Sequence, residues 1–202
     1  MTYILNIYEN NKYILSNISY NGKLLFKIKK NSNSLHQKIK KSLIKYKFKI
    51  NKINAICVNF GPSISYTRIR IILSSAKGLC LSLKKPLIMI NDFLILINNK
   101  LKLIKKYKKI NFIIYSYNKK KIYIIKYNCN KNIFYKKKKI KKYNFIKNIY
   151  FLNIKFKKKN YKYHKNIYFY KINYNDIIKL SYEFYKKKKF VKNINCCEPI
   201  YI

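Results

Sequence analysis

The acidic residues of this 202-residue chain are too few and too widely spaced for chemistry that needs two carboxylates. There are five of them: Glu9, Asp92, Asp176, Glu183 and Glu198. Two-metal sites and paired acid–base mechanisms require at least two carboxyl groups at the reacting centre. Since no such pair is evident, we predict no metal site and no carboxylate-based catalysis.

Nucleophile–base pairs are equally hard to find. Ser65 and Thr67 follow a glycine-proline pair, but no base accompanies them, and capping of the following helix explains them better. Of the two histidines, His36 has no acid or thiol three or four positions away, which favours a structural or interface role. The other, His164, stands among tyrosine and lysine. The sequence therefore predicts no catalytic residue and no cofactor.

Cysteine usage and hydropathy indicate where the chain resides. The five cysteines include no C-x-x-C pair, and Cys196 and Cys197 are adjacent, which suits neither a zinc site nor an ordinary disulfide. We expect free thiols in a reducing compartment, with Cys57 and Cys80 packed as small apolar residues. The chain has no run of about 18 apolar residues and no basic-then-apolar opening. A cytoplasmic protein that does not span a membrane is expected.

The formal net charge of +43 has two explanations. Such a charge normally indicates a nucleic-acid partner, because basic side chains displace the counterions of phosphates. Lysine runs alternate with aromatic residues, as at Lys136–Lys139, Lys157–Lys159 and Lys186–Lys189, which resembles an RNA groove. However, Lys, Asn, Ile, Tyr and Phe all have codons rich in A and T, so an AT-rich reduced genome produces the same pattern. A standalone basic RNA-binding protein stays open as one function.

The first half of the chain reads as an α/β core. Three short β-rich runs predict an antiparallel meander with Asn21-Gly22 as a hairpin turn: residues 2–8, 13–19 and 23–29. A helix capped by Ser32 or Ser34 should end near Phe48. Residues 53–60 form a nearly continuous apolar run, which is typical of a strand buried on both faces beside a parallel neighbour. A helix over about 67–84 and a strand over 86–90 follow.

The helix over 67–84 carries two contrasting faces. Its core face should contain Ile69, Ile72, Leu73, Ala76, Leu79, Cys80 and Leu83. The opposite face lacks the lysines that are common elsewhere, and contains Ile71, Ser74, Ser75, Gly78, Leu81 and Ser82. Small residues at i, i+4 and i+8 allow another helix to approach closely. This face should pack against the first helix or against a partner subunit.

The second half is less regular. We expect a helix over 91–100, a lysine-rich connection at 105–109, a hairpin of residues 112–117 and 121–127, and a helix over 175–188. Residues 133–170 are strand-like but cannot be divided into elements. Two subdomains are predicted, one over 1–104 and a reduced one over 105–202.

Residues 53–90 resemble the TsaB (YeaZ-like) family. The matching segments are Ala55-Ile56, Gly61-Pro62, Ser65-Tyr66-Thr67, Arg70-Ile71, Ala76-Lys77-Gly78-Leu79-Cys80 and Pro86-Leu87-Ile88, and the terminal Glu198-Pro199 is similar to the family's ending. The resemblance implies an actin-like ATPase or RNase H-like fold. It also implies a non-catalytic subunit that binds and activates TsaD, together with the ATPase TsaE, for threonylcarbamoyl transfer to the adenosine adjacent to the anticodon in tRNA. Homodimerisation of the free protein is possible.

The predicted partner interface combines the first and second helices: Leu35, Ile39, Leu43, Arg70, Ile71, Ser74, Ser75, Gly78, Leu81 and Ser82. The chain departs from the family pattern at Ser63 and Arg68, where glycines are usual. It also has Tyr8 where catalytic relatives of the fold carry an acid, with Glu9 one position on. A phosphate cradle needs backbone conformations that glycine adopts cheaply. A nucleotide site at this loop is therefore not expected.

Overall fold

The computed structural model describes residues 1–10, 13–28, 34–61, 66–92, 94, 95, 98 and 173–199, together with the backbone of five strands between 109 and 170. The chain forms two compact units. The first contains Met1–Asp92 and Asn173–Tyr201, and the second contains Phe93–Ile172. Among the described residues no helix is long and apolar enough to cross a bilayer.

A mixed five-stranded sheet forms the centre of the first unit. Its strands are β1 (Tyr3–Asn10), β2 (Tyr13–Tyr20), β3 (Lys23–Ile28), β4 (Ala55–Asn59) and β5 (Leu87–Ile90), in the spatial order β3-β2-β1-β4-β5. The first three form the predicted antiparallel meander, and Asn21 and Gly22 have φ angles of 46° and 77°, as a two-residue hairpin turn requires. Strand β4 lies between β1 and β5, parallel to both, and all five of its residues are buried. Both predictions are confirmed.

Helices cover both faces of this sheet. Helix α1 (Leu35–Lys45) begins at Ser34, whose side chain accepts a hydrogen bond from the backbone N–H of Gln37 at 3.4 Å. It ends three residues before the predicted position. Helix α2 (Tyr66–Leu83) buries Ile69, Ile72, Leu73, Ala76 and Cys80, as predicted. Both helices pack on the face that Leu5 and Ile7 of β1 present, within one apolar cluster.

The opposite face of the sheet is covered by helix α3 (Tyr174–Lys186), which contacts β1, β3, β4 and β5. A capping box of Asn173 and Asp176 opens this helix, and Ile177, Ile178 and Leu180 are buried. On this face the Cys57 thiol of β4 forms a hydrogen bond with the Ser181 hydroxyl of α3. The terminal helix was predicted to lie in the subdomain 105–202. The structure instead groups residues 173–199 with the first unit, because α3 supplies the cover that the second face of the sheet needs.

The second unit contains another five-stranded sheet. Its strands are β6 (Lys109–Ser116), β7 (Lys121–Asn128), β8 (Ile133–Ile140), β9 (Ile149–Leu152) and β10 (Ile167–Tyr170). Strands β6, β7 and β8 form an antiparallel meander, which confirms the predicted hairpin, and β9 lies parallel to β6 and β10. The spatial order β10-β9-β6-β7-β8 repeats that of the first sheet. The strands of the second unit are therefore not reduced in number. Within the predicted helix over 91–100 five positions are described, of which 92, 94, 95 and 98 are helical and Asn91 precedes the helix.

Candidate functional site

Polar residues meet where the three parallel strands of the first sheet end. The carboxyl ends of parallel strands share one edge of a sheet, and ligands of open α/β sheets bind there. Asn59 is the last residue of β4, and its side-chain Nδ2 donates to Oδ1 of Asp92 at 2.6 Å. Two hydrogen bonds from backbone N–H groups complete the link. Gly61 N–H donates to Asn59 Oδ1 at 2.9 Å, and Asp92 N–H donates to the Gly61 carbonyl at 2.9 Å. Gly61 has a φ of 111°, a conformation that favours glycine.

Asp92 is a buried carboxyl group within this cluster, with 5% of its surface exposed. Burial raises its pKa from the ordinary value of 3.8 to about 7, because the charged form loses its hydration. The hydrogen bond from Asn59 opposes this rise in pKa, and the negative charge of Glu9 adds to it. Glu9 and Asp92, which are 83 positions apart, are therefore electrostatic neighbours.

Glu9 forms an ion pair with Arg68, the arginine that stands where the resembling family has glycine. The Arg68 Nε lies 2.7 Å from Glu9 Oε1, and both side chains are partly buried. The pair links the end of β1 to the first turn of α2. The neighbouring Tyr8 is buried, and burial raises the pKa of its hydroxyl.

The expectation that no two carboxylates come together needs correction, because the topology brings Glu9 and Asp92 to one edge. Each carboxyl group nevertheless has a partner within this chain. Glu9 forms an ion pair with Arg68, and Asp92 accepts a hydrogen bond from Asn59. The described residues contain no group of three or more histidine, cysteine or acidic side chains that could hold a metal ion. The arrangement links β1, β4, β5 and α2 to one another. The loop residues Ser63 and Ser65 lie outside the described part of the chain.

The predicted interface residues divide into exposed and buried groups. Arg70, Ile71, Ser74, Gly78, Leu81 and Ser82 are exposed on α2. The buried group was placed on the surface in error, because its members pack into this chain's own interior: Leu35, Ile39, Leu43 and Ser75, each at most 7% exposed. The first three form the face of α1 that meets the sheet, and Ser75 lies on the core side of α2.

The exposed face of α2 is open. A Cβ built on Gly78 would meet no described atom within 4 Å, so α1 does not cover this position. Ile71 and Leu81 flank the glycine with 41% and 62% of their surfaces exposed. The Ser74 hydroxyl bonds to the Arg70 carbonyl of its own helix at 2.8 Å. Small and apolar side chains thus form an α2 outer face, which we define as Ile71, Ser74, Gly78, Leu81 and Ser82.

An apolar groove of about 570 Å³ runs along α1 beside this face. Its lining includes Leu79 of α2 together with Ile39, Leu43, Ile44, Phe48 and Ile50, and the polar side chains of His36, Lys40, Lys47 and Lys49. Ile44 is 68% exposed. His36 therefore lies at a surface groove, and its structural or interface role stays a prediction.

The described cysteines fit the prediction of free thiols. Cys57 and Cys80 are buried, and burial raises both pKa values, that of Cys80 to about 12. Cys196 is exposed and Cys197 is buried against the same cluster as α2. Thiols with raised pKa values are poor nucleophiles, so the buried cysteines act in packing.

Two five-stranded sheets of the same order, each a meander followed by parallel strands, place the chain in the actin-like α/β class. The family model of TsaD, tRNA N6-adenosine threonylcarbamoyltransferase, matches residues 26–184. The match covers more than half of the chain, and the chain belongs to this family.

Two solved structures from Pseudomonas aeruginosa are similar along their whole length. One is an uncharacterized protein with similarity to peptidase YeaZ, with 12% identity, a TM-score of 0.65, and coverage of 100% of this chain and 99% of that chain. The other is YeaZ, with 12% identity, a TM-score of 0.64 and 100% coverage of both chains. At this identity the likeness concerns the fold. No curated protein matches the sequence.

Proposed function

We propose that this chain is the TsaB-like, non-catalytic member of a tRNA threonylcarbamoylation complex, and that it binds and activates TsaD. The family match and the YeaZ fold over the full length support a place in this system. The segment 53–90 carries the TsaB-like motif. Under this proposal TsaE and tRNA join within the complex, and the chain itself contributes no catalytic group.

The α2 outer face is the observation that carries the proposal. Monomeric proteins normally place charged side chains on a solvent-exposed helix, and in the described part of the chain lysines are exposed on both α1 and α3. Ile71 and Leu81 are instead exposed beside Gly78, where an added Cβ would meet no described atom within 4 Å outside the backbone of its own helix. A glycine flanked by exposed apolar residues lets a second helix approach to a short interaxial distance. The partner should therefore present a helix.

The strand-end cluster supports a non-catalytic role. Arg68 neutralises Glu9, and the side-chain amide of Asn59 donates a hydrogen bond to the carboxyl group of Asp92. A group that serves as acid or base must reach the reacting atoms, and Asp92 is only 5% exposed. The cluster fixes the start of α2 relative to β1. The chemistry would then belong to TsaD, while this chain holds TsaD in its active shape.

Replacing Gly78 or Ser74 by leucine should abolish co-purification with TsaD. A leucine at either position would separate the two helices by several ångströms, and the isolated fold should persist because both positions face solvent. The measurement is recovery of the TsaD encoded in the same genome on a tagged copy of each variant, with circular dichroism confirming the fold.

Lys179→Leu is the matched control, because it adds the same side chain to an exposed position of another helix, α3. This variant should retain TsaD as the unaltered chain does. Normal recovery of TsaD by both Gly78→Leu and Ser74→Leu would contradict the assignment of the interface.

Gly78→Ala should have opposite effects on stability and on binding. A glycine inside an exposed helix costs about 0.5–1 kcal/mol relative to alanine, so the free energy of unfolding should rise by that amount. The added methyl group should at the same time hold the two helices apart and weaken binding to TsaD by about tenfold, which corresponds to about 1.4 kcal/mol. Urea unfolding and titration calorimetry measure the two effects.

Ser82→Ala is the control for this prediction, because it keeps a small side chain and should leave the affinity for TsaD unchanged. A Gly78→Ala variant that binds TsaD as tightly as the original chain would argue against close helix packing.

A further inference from the structure

We infer that a lysine patch at the amino edge of the first sheet binds the phosphate backbone of RNA. The amino-edge patch is defined as Lys84, Lys85, Lys187, Lys188, Lys189 and Lys192. The inference deepens the proposed function, in which tRNA is the substrate of the complex, by assigning this chain its own contact with RNA. The site lies at the opposite edge of the sheet from the strand-end cluster, and Lys84 follows directly after the end of the α2 outer face.

One backbone hydrogen bond fixes the position of the patch. The Val191 N–H donates to the Leu87 carbonyl at 2.9 Å, so the segment after α3 lies along the first residue of β5. Every patch lysine is within four residues of one partner in this bond. Consecutive Cα atoms are about 3.8 Å apart, so these side chains arise from one small area. The two halves of the patch are separated by about 100 positions in the sequence, and only the fold brings them together.

The positive charge of the patch exceeds the partial negative charge at the carboxyl termini of the two helices that end there. Helices α2 and α3 both end here, and each carboxyl terminus carries about half a negative charge, which one lysine would offset. The patch has six lysines against about one negative charge. Five are exposed and Lys85 is partly exposed, and none belongs to an ion pair within the described part of the chain. Because Glu183 lies one turn before Lys187 and adds a further negative charge, about four positive charges are left to act on a ligand.

The neighbouring aromatic residues favour RNA as the ligand. Tyr185 and Phe190 interleave with the lysines, are partly exposed, and contact each other edge to face at 5.7 Å between ring centroids. Lys189 lies 5.2 Å from the ring of Phe184. Unpaired bases stack on such rings while lysines neutralise the phosphates.

Helix α1 offers a comparison of equal charge. The lysines of α1 at positions 38, 40, 41 and 45, together with Lys47 and Lys49 just after the helix, are equally numerous, but they divide between two opposite sides. Positions 38, 41 and 45 share one side, while 40, 47 and 49 line the apolar groove on the other. A nucleic acid can therefore reach only about half of them at once. Removing these six lysines lowers the net charge by the same amount as removing the patch.

The test compares two full-length variants, one with all six patch lysines replaced by glutamine and one with the six α1 lysines so replaced. Binding of fluorescein-labelled bulk tRNA is measured by anisotropy at several KCl concentrations, and thermal unfolding confirms that each variant folds. At 50 mM KCl we expect the patch variant to lose about tenfold or more in affinity, and the slope of log K against log[salt] to fall by about 3–5. The α1 variant should lose less than about threefold.

Equal losses in the two variants would overturn the inference, because net charge alone would then govern binding. Normal binding of tRNA by the patch variant would also overturn the inference. The same holds if the patch variant lost binding to anionic phosphatidylglycerol vesicles while its binding of tRNA stayed intact. A triple variant, Lys187→Gln with Lys189→Gln and Lys192→Gln, repeats the test should the sixfold variant not fold. The isolated chain is used throughout, so failure here leaves the proposed binding of TsaD untouched.

Discussion

A shortened chain of residues 1–92 joined through a flexible linker to residues 173–199 should fold cooperatively, whereas residues 1–104 alone should not. The difference is α3, which buries Ile177, Ile178 and Leu180 against the sheet. Burying one such side chain contributes about 1.5–3 kcal/mol, so losing the three costs roughly 5–9 kcal/mol. A typical domain has a total stability of about 5–15 kcal/mol. The sheet face that carries Ile4 and Ile88 would also lose its cover.

The linker is feasible because both of its ends lie at the carboxyl edge of the sheet. Asp92 follows β5, and Tyr174 interacts electrostatically with Tyr8 near the end of β1. A Gly/Ser linker of about 10 residues spans roughly 17 Å on average. Urea unfolding followed by circular dichroism distinguishes the outcomes.

Ile178→Asp in the linked chain is the control, since a carboxylate at this buried position should abolish folding. Cooperative unfolding of residues 1–104 alone would show that α3 is dispensable for the first unit.

Local patterns predicted most of the elements of the first unit. Alternating apolar residues and an Asn-Gly turn are properties of neighbouring residues, so the meander could be predicted without knowledge of the fold. The same holds for β4, whose continuous apolar run indicates burial on both faces. The helical spacing of residues 175–188 likewise predicted α3 as an element.

The position of α3 could not be predicted from its own pattern, because an apolar helix face does not specify which sheet it covers. A signal did exist in the topology. Crossovers between parallel strands are right-handed, so the helices that connect β1, β4 and β5 lie on one face of the sheet. The other face, which includes the wholly apolar Ile4 and Ile88, then needs a helix from later in the chain.

The strand-end cluster was missed for a similar reason. Glu9 and Asp92 have no sequence relationship, and only the parallel pairing of β1 with β4 and of β4 with β5 brings them to one edge. Ser75 illustrates a different limit, since a serine on the core side of α2 cannot be told from a surface serine by hydropathy. Both errors concern residues whose environment depends on long-range packing.

Stability should fall as the pH rises from about 4 to about 7, and Asp92→Asn should remove this dependence. The unfolded carboxyl group releases its proton near its ordinary pKa of 3.8, whereas the buried one holds it up to about 7. Between these values the folded state binds a proton that the unfolded state has lost, so rising pH favours unfolding. Each unit of pKa difference is worth about 1.4 kcal/mol. We expect the stabilisation by Asp92→Asn to be larger at pH 8 than at pH 5 by roughly 3 kcal/mol, because the difference accumulates over the two pH units between 5 and 7.

Asparagine is the suitable replacement because its side-chain oxygen can still accept the hydrogen bond from Asn59. Urea unfolding at pH 5 and pH 8 measures the effect, and Glu198→Gln serves as the control because it removes an exposed carboxylate that is solvated in both states. An Asp92→Asn variant whose stability follows the same pH profile as the original chain would show that Asp92 stays ionised in the folded protein. In that case Arg68 would have to neutralise both acids of the strand-end cluster. The expected profile instead makes Asp92 a neutral hydrogen-bonding group at acidic pH, which fits a cluster that holds α2 in place.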